Sequence, residues 1–309
     1  GLLRSSKIPG HIIHGIPIKF LELERNNVEI KRRKRMRLFD VNTETCNQDG
    51  ICASVCPTGI IEILKGEYPT PVAEAEEICI RCGHCVAVCP TASFSHREMP
   101  KGNFPSIQKD LSVSFEQCEQ FLRARRSTRT YKKKSVPKED ISKLIHLARH
   151  APTGHNTQSV EWLVIGDRDE LKQLAGITID FMRWMLEDMS EIALSLHMDR
   201  TVGRWEDGKD VILRDAPAVI VAHAAKDDLM AQTSSTIALS YLELVATSMA
   251  IGCCWAGYFN AAAVNFPPMA DDLRIPDGHQ CMGAMMVGYP KYKYHRLPVR
   301  KEPEITWRL

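Results

Sequence analysis

The 309-residue chain is as informative for what it lacks as for what it holds. No apolar run reaches the roughly 18 residues that a membrane-spanning helix needs. No basic-then-apolar segment of signal-peptide type opens the sequence, so the cytoplasm is the expected compartment and a membrane is not an expected partner. Charge of one sign is also missing: 40 basic residues face 38 acidic ones, a formal net charge of +2. A balance that close supplies no global field for nucleic acid. A Gly-x-Gly-x-x-Gly fingerprint is absent, so a dinucleotide-binding domain of that type is not expected.

What is abundant is cysteine. Eleven are present, and seven of them fall between Cys46 and Cys89. A disulfide framework belongs to small secreted chains, whereas crowding of this kind in a longer chain points to a local metal site. Cys118, Cys253, Cys254 and Cys281 lie outside the crowded stretch, and buried adjacent cysteines such as Cys253 and Cys254 read best as small hydrophobes.

The chain divides by composition. Residues 1–35 form an extension with a basic run at 31–35, ahead of Met36. Met36 reads as a natural start, and a Lys-Arg-Arg-Lys-Arg run can be encoded by an A/G-rich stretch such as a ribosome-binding site, so this extension is expected to be translated leader; a solvated or nucleic-acid-binding arm is the alternative. Residues 36–99 carry the cysteines, with short strands expected at 38–41 and 60–64. Residues 100–112, rich in Pro, Gly, Asn and Ser, read as a linker.

Residues 113–309 alternate helical and strand patterns. A helix is expected behind Pro137, strands at 162–165, 216–222 and 280–288, and a helix at 232–251. Apolar residues spaced three and four apart predict one long helix over 178–199, read as core or subunit interface.

The second cysteine run is Cys79-x2-Cys82-x2-Cys85-x3-Cys89-Pro90. Soft thiolates suit iron, and three closely spaced thiolates can wrap three corners of an iron–sulfur cube. The first run, Cys46-x5-Cys52-x3-Cys56-Pro57, follows the same ruler with Asp49 at the second ligand position. A pair of zinc sites would favour Cys-x2-Cys pairs at longer separation. His84, inside the second run, is not needed as a ligand.

The two runs in tandem resemble the two-cluster bacterial ferredoxins. The resemblance implies that Cys46, Cys52 and Cys89 hold one [4Fe–4S] cluster with Asp49 at its fourth corner, and that Cys56, Cys79, Cys82 and Cys85 hold a second. The Asp leaves open whether the first cluster has four irons or three.

Four further blocks stand out: RRSTR at 125–129, PTGHNTQ at 152–158, GCCWAGYF at 252–259 and the tail around Arg300. Each alone reads as a solvated face, a turn or a strand start. Together they suit a flavin mononucleotide, because guanidinium forks match a phosphate dianion and glycines let backbone approach a ring. Their order and spacing resemble the FMN-dependent nitroreductase family, over roughly residues 115–305. By position, Arg125, Arg126, Ser127 and Arg129 match the family's opening. Pro152, Thr153, Gly154, Asn156 and Gln158 match its loop. Cys254, Trp255, Ala256 and Gly257 match its late turn, and Arg300 its phosphate-binding tail. Two departures are visible: Ser159-Val160-Glu161-Trp162 replaces a Pro-Trp after the loop, and no Glu precedes Gly257.

The resemblance implies an α+β fold: a small ferredoxin-like domain followed by a nitroreductase-like sandwich around a central mixed sheet, in an intertwined homodimer with FMN at the interface. It implies an oxidoreductase that takes electrons from a low-potential donor, such as reduced ferredoxin or NAD(P)H, through the clusters to FMN. A nitro, quinone or enone compound is the expected substrate. The flavin carries the chemistry, so no catalytic side chain is named. An electron-transfer flavoprotein that relays electrons to a partner protein is the alternative.

Overall fold

The computed structural model describes residues 37–309, together with a short ladder pairing Ile12–Ile13 with Ile16–Pro17. The reading of 1–35 as leader, and its basic run, lie outside the described residues. The chain separates into two compact units, residues 1–109 and 110–309, with the division inside the 100–112 segment.

Beyond the short ladder at residues 12–17, the first unit holds two two-stranded sheets among its described residues. Strand β1 (Phe39–Val41) pairs antiparallel with β4 (Phe94–His96), and β2 (Ile61–Glu62) with β3 (Thr70–Pro71). Three single-turn helices join them: α1 (Ile51–Ser54), α2 (Ala75–Ile78) and α3 (His84–Val88). Its small core packs Leu38, Phe39, Ile60, Ile61, Val86 and Phe94 against the cysteines. So little apolar surface is marginal for a free-standing fold, and internal ligation is the usual remedy at this size.

In the second unit the helices are α4 (Phe115–Ala124), α5 (Lys138–Ala148), α6 (Arg168–Asp188), α7 (Ser190–Ser195), α8 (Met198–Glu206), α9 (Ala231–Ser248), α10 (Gly257–Asn265) and α11 (Pro267–Leu273). Four strands form its sheet: β5 (Glu161–Ile165), β6 (Ala218–Ala225), β7 (Gly252–Trp255) and β8 (His279–Gly288), in the order β5-β6-β8-β7. Strand β6 is apolar on both faces because both are covered. Val219 and Val221 join one core with Leu174, Ile179 and Phe259, and Ala218, Ile220 and Ala222 join the other with Leu144, Leu239 and Leu242. This is the two-faced packing of a sheet between helical layers, and the class is α+β.

Two expectations need correction. The sheet was expected to be mixed, but every described ladder is antiparallel. Strands β6 and β7, linked through α9, do run in one direction. Strand β8 inserts between them and opposes both, so they never share a ladder. The expected single helix over 178–199 instead starts at Arg168, where the Asp167 carboxylate caps the N–H groups of Asp169 and Glu170. It then breaks at Met189 (φ −136°, ψ 50°) and at His197, whose backbone is left-handed. The apolar stripe is real, but it runs over three helices. Among the described residues, no helix is long and apolar enough to cross a membrane.

Candidate functional site

In the first unit the eight proposed ligand positions sort into two cavities. One is lined by Cys46, Asp49, Cys52 and Cys89, the other by Cys56, Cys79, Cys82 and Cys85. Each last cysteine of a run therefore crosses to the set of the other run. The local geometry repeats at a constant offset of 33 residues (79−46, 82−49, 85−52, 89−56). Gly50 and Gly83, one residue past Asp49 and Cys82, both have left-handed φ near +70° (72° and 74°) and open α1 and α3. A side chain there would be strained, so the turn that faces each second ligand toward its cavity is specified by glycine.

The electrostatics follow the same grouping. Burial raises the Cys52 thiol, and the nearby charges of Cys46, Asp49 and Cys89 add to it. Burial pushes Cys85 up to about 12, with Cys82, Cys56 and Cys79 contributing. Burial also opposes ionisation of Cys56 and Cys89, but hydrogen bonds outweigh it and lower both: Ile60, Thr58 and Gly59 act on Cys56, and Thr91, Phe94 and Ser93 on Cys89. The Ser93 N–H donates to Cys89 Sγ at 3.2 Å.

These residues fit iron–sulfur clusters on the donor chemistry itself. Each cavity gathers soft thiolates from both runs, and N–H groups point at sulfur. Among the described residues, no three cysteine sulfurs converge within 4.8 Å as ligands of one ion would. A cube, whose thiolates attach to separate irons, suits that wider spread.

In the second unit, helix α4 begins with a capping box, Ser114 and Gln117 bonding reciprocally, and ends at Arg125. Arg125 donates to Glu243 Oε1 on α9 at 2.8 Å and reaches Ser127 Oγ at 3.4 Å. The Thr128 N–H donates to the Cys253 carbonyl at 2.8 Å, and the Tyr131 hydroxyl donates to the Thr128 carbonyl at 2.6 Å. The arginine-rich segment is thereby pinned against β7. The approach is so close that a Cβ on Gly252 would lie 2.2 Å from Thr128 Oγ1.

Arg125, Arg129 and the unanticipated Arg214 all act on the Cys254 thiol and lower it, although burial is the larger effect and leaves it raised. Arg125 and Arg300 line one cavity with Arg123 and Lys301, four cations set beside Glu302 and an apolar side formed by Leu122, Leu297, Pro298 and Val299. Arg126 stacks over the Tyr294 ring at 5.5 Å. Cys254 is buried, Trp255 is more than a third exposed, and the Ala256 N–H is committed to the Ala284 carbonyl. Gly257 opens α10 with nothing near its missing Cβ.

The 152–158 loop stands elsewhere. It is held at the start of α9: Gly154 packs on Met230 with no room for a Cβ, and Ser159 donates to Asp228 Oδ2 at 2.5 Å. The Gln158 N–H donates to Thr153 Oγ1, and His155, Asn156 and Gln158 have left-handed backbones. Pro152 is exposed. Met230 and Glu243 are 13 positions apart, so at 1.5 Å per residue the loop and Arg125 are separated by about 20 Å along α9. Within one chain the candidate residues thus form two groups, not one.

Glu243, Arg214, Thr128 and Gly252 escaped the sequence reading. Glu243 and Arg214 carry no local motif, and Thr128 and Gly252 stand inside the 125–129 and 252–259 blocks with nothing local to mark them; only the tertiary approach of distant segments gives all four their partners.

The nitroreductase family model matches residues 122–289, more than half the chain, and the chain belongs to that family. A 4Fe-4S dicluster domain model matches residues 44–94. A protein of Archaeoglobus fulgidus named as an NADH dehydrogenase/NAD(P)H nitroreductase is 27% identical over 57% of this chain and 87% of its own length. Among solved structures, an FMN-bound nitroreductase from Bacteroides fragilis aligns with TM-score 0.52 at 19% identity, covering 61% of this chain and 96% of its own. An FMN-bound nitroreductase from Desulfitobacterium hafniense gives 0.50 at 20% identity, over 61% and 96%. At those identities the structures establish the fold alone. The protein is therefore a nitroreductase-type oxidoreductase carrying an N-terminal 4Fe-4S domain.

Proposed function

We propose that this chain is an iron–sulfur flavoprotein oxidoreductase. In this reading two clusters and one FMN link a low-potential one-electron donor to a small nitro, quinone or enone substrate. The observation that carries it is the crossing of the two cysteine runs. Cys89 joins the Cys46–Asp49–Cys52 set and Cys56 joins the Cys79–Cys82–Cys85 set, which is the pattern of a chain wrapped round two clusters and not of two independent metal knuckles.

Bound FMN would exchange single electrons on one side and deliver a pair on the other. The protein's own task is to hold and shield. Arg125 and Arg300, in their shared cavity, would grip the phosphate, with Arg129 adding positive charge and Ser127 a hydroxyl. Glu243 keeps the Arg125 fork oriented. Trp255 and Gly257 would lie along the flavin. The loop carrying Pro152, Thr153, Gly154, Asn156 and Gln158 would close the site from a second copy of the chain, because about 20 Å along α9 separates it from Arg125 in its own chain. A homodimer with FMN at the interface accommodates both groups.

As the immediate donor we favour a reduced ferredoxin-type carrier over NAD(P)H, because the cysteine module offers it an entry point and no dinucleotide fingerprint is present. The test is anaerobic purification with iron, sulfide and flavin quantified, followed by stopped-flow reduction. About seven to eight irons and one FMN per chain are expected, with reduction by ferredoxin outpacing NADPH and turnover of a nitroaromatic or quinone. Zinc without flavin would overturn the cofactor reading. Flavin bleaching by NADPH alone at catalytic speed would overturn the donor reading, and failure to turn over any of the substrate classes would leave the electron-relay alternative.

A further inference from the structure

We propose a mononuclear divalent-metal site, of the zinc class, at the Glu161, His223 and His279 end of the central sheet. It is separate from the cysteine module and from the arginine-lined cavity. Among the described residues these three form the one group of His, Cys, Asp or Glu side chains whose ligand atoms all come within 4.8 Å of one another.

The three come from adjacent strands. Glu161 on β5 is the direct cross-strand partner of His223 on β6, and His279 on β8 pairs with Ala225, two residues along from His223. Directly opposed strand residues share a face, so the backbone itself brings Glu161 to His223. Further along β6, Val221 and Val219 take the same face and lie in the apolar core. His223 is 5% exposed at the end of that apolar row, His279 is half-buried and Glu161 is exposed.

The two imidazoles meet Nδ1 to Nδ1 at 3.1 Å, with ring centroids 5.3 Å apart. That spacing matches two nitrogens on one ion. With metal–nitrogen bonds of about 2.05 Å, a 3.1 Å separation subtends an angle of about 98°, between octahedral and tetrahedral values. Burial keeps His223 below its usual imidazole range, with the Glu161 carboxylate opposing and His279 assisting. A neutral imidazole with a free lone pair is the ligating form. Glu161 adds the negative charge that a divalent cation requires, and it lies on the exposed side, where a water or substrate oxygen can complete the shell. Two histidines and a carboxylate with one open position form a donor set that zinc uses. Without an ion, the two neutral histidines would share a single N–H···N bond, and the protein would retain no zinc there.

The test uses the full-length protein with iron and flavin loaded. It is dialysed anaerobically against micromolar zinc and desalted, and zinc and iron are then measured by mass spectrometry. The wild type should retain about one zinc per chain with its iron content unchanged, and its Tm should rise with added zinc. H279Q and E161Q, at half-buried and exposed positions that should not prevent folding, should weaken zinc retention at least about tenfold and abolish the Tm shift. H223N tests the buried ligand where it folds. X-ray absorption at the zinc edge should show nitrogen and oxygen neighbours, with no sulfur. The proposal is overturned if the wild type retains no zinc, if H279Q and E161Q retain as much as wild type, or if the bound zinc is sulfur-ligated. Because retention and coordination are read directly, these outcomes do not depend on the electron path or the substrate.

Discussion

His96 Nε2 lies 3.6 Å from Cys79 Sγ, while its Nδ1 accepts the Glu98 N–H at 3.1 Å. The second contact decides the first. An acceptor Nδ1 leaves the ring proton on Nε2, so the buried neutral imidazole donates to the sulfur. Hydrogen bonds to a ligating sulfur stabilise the more negative, reduced state of a cluster. His96→Leu should therefore lower the potential of the cluster proposed at Cys79. A net bond of about 1 kcal/mol corresponds to roughly 40 mV for one electron. An EPR-monitored redox titration reads it, and a potential unmoved by the substitution would exclude the role.

Asp49 stands where the other run has Cys82, and its carboxylate accepts the Ile51 N–H at 3.1 Å. A carboxylate holds the corner iron less firmly than a thiolate does. Mild oxidation should thus remove about one iron per chain and produce the signal of a three-iron cluster. Asp49→Cys should keep that iron through the same treatment. Iron analysis with EPR before and after oxidation separates the two results.

The grouping of the cysteine runs into two sets was legible because the chemistry of the proposed clusters sets their spacing: a short loop must present thiolates to the corners of one cube, and that requirement is written in consecutive residues. The α+β class came with the family resemblance, while the strand expected at 216–222 was legible because that run is apolar without alternation, as suits a strand covered on both faces. Strand direction was not. Whether β8 adds beside β6 or slips between β6 and β7 depends on long-range pairing that no local pattern encodes. The long helix was misjudged because Asp167, a good cap, precedes a first turn of charged residues with little apolar signal. The partners of Arg125 were beyond reach for the same physical reason as the sheet order: Glu243 lies 118 positions away.

Arg125 and Glu243 form a partly buried ion pair, with side chains 23% and 11% exposed. Removing one partner strands the other charge. Glu243→Gln should cost on the order of 1–3 kcal/mol of stability, seen as a lower Tm in both the flavin-loaded and flavin-free protein. Arg125→Ala should lower Tm comparably and, beyond that, weaken FMN binding at least about tenfold, as expected from loss of a charge-assisted phosphate contact. Fluorescence of released flavin measures the second effect. Equal FMN affinity in Arg125→Ala and wild type would remove Arg125 from the phosphate site.

The docking of the arginine-rich segment on β7 rests on one missing methyl group. A Cβ on Gly252 would meet Thr128 Oγ1 at 2.2 Å, Thr128 Cβ at 2.7 Å and Pro290 Cγ at 2.9 Å. Thr128 cannot retreat cheaply, because its N–H is bonded to the Cys253 carbonyl and its own carbonyl accepts from Tyr131. Gly252→Ala should therefore push the 125–129 segment off the strand, destabilising the unit by roughly 1–3 kcal/mol as overpacking does and releasing FMN through displaced arginines. The double variant Gly252→Ala/Thr128→Gly removes both Thr128 atoms from the clash and should recover part of the flavin content, although Pro290 still crowds the new methyl. If the single variant keeps full flavin occupancy and an unchanged Tm, the segment is not positioned by this contact. If the double variant recovers nothing while remaining folded, the displacement does not run through Thr128.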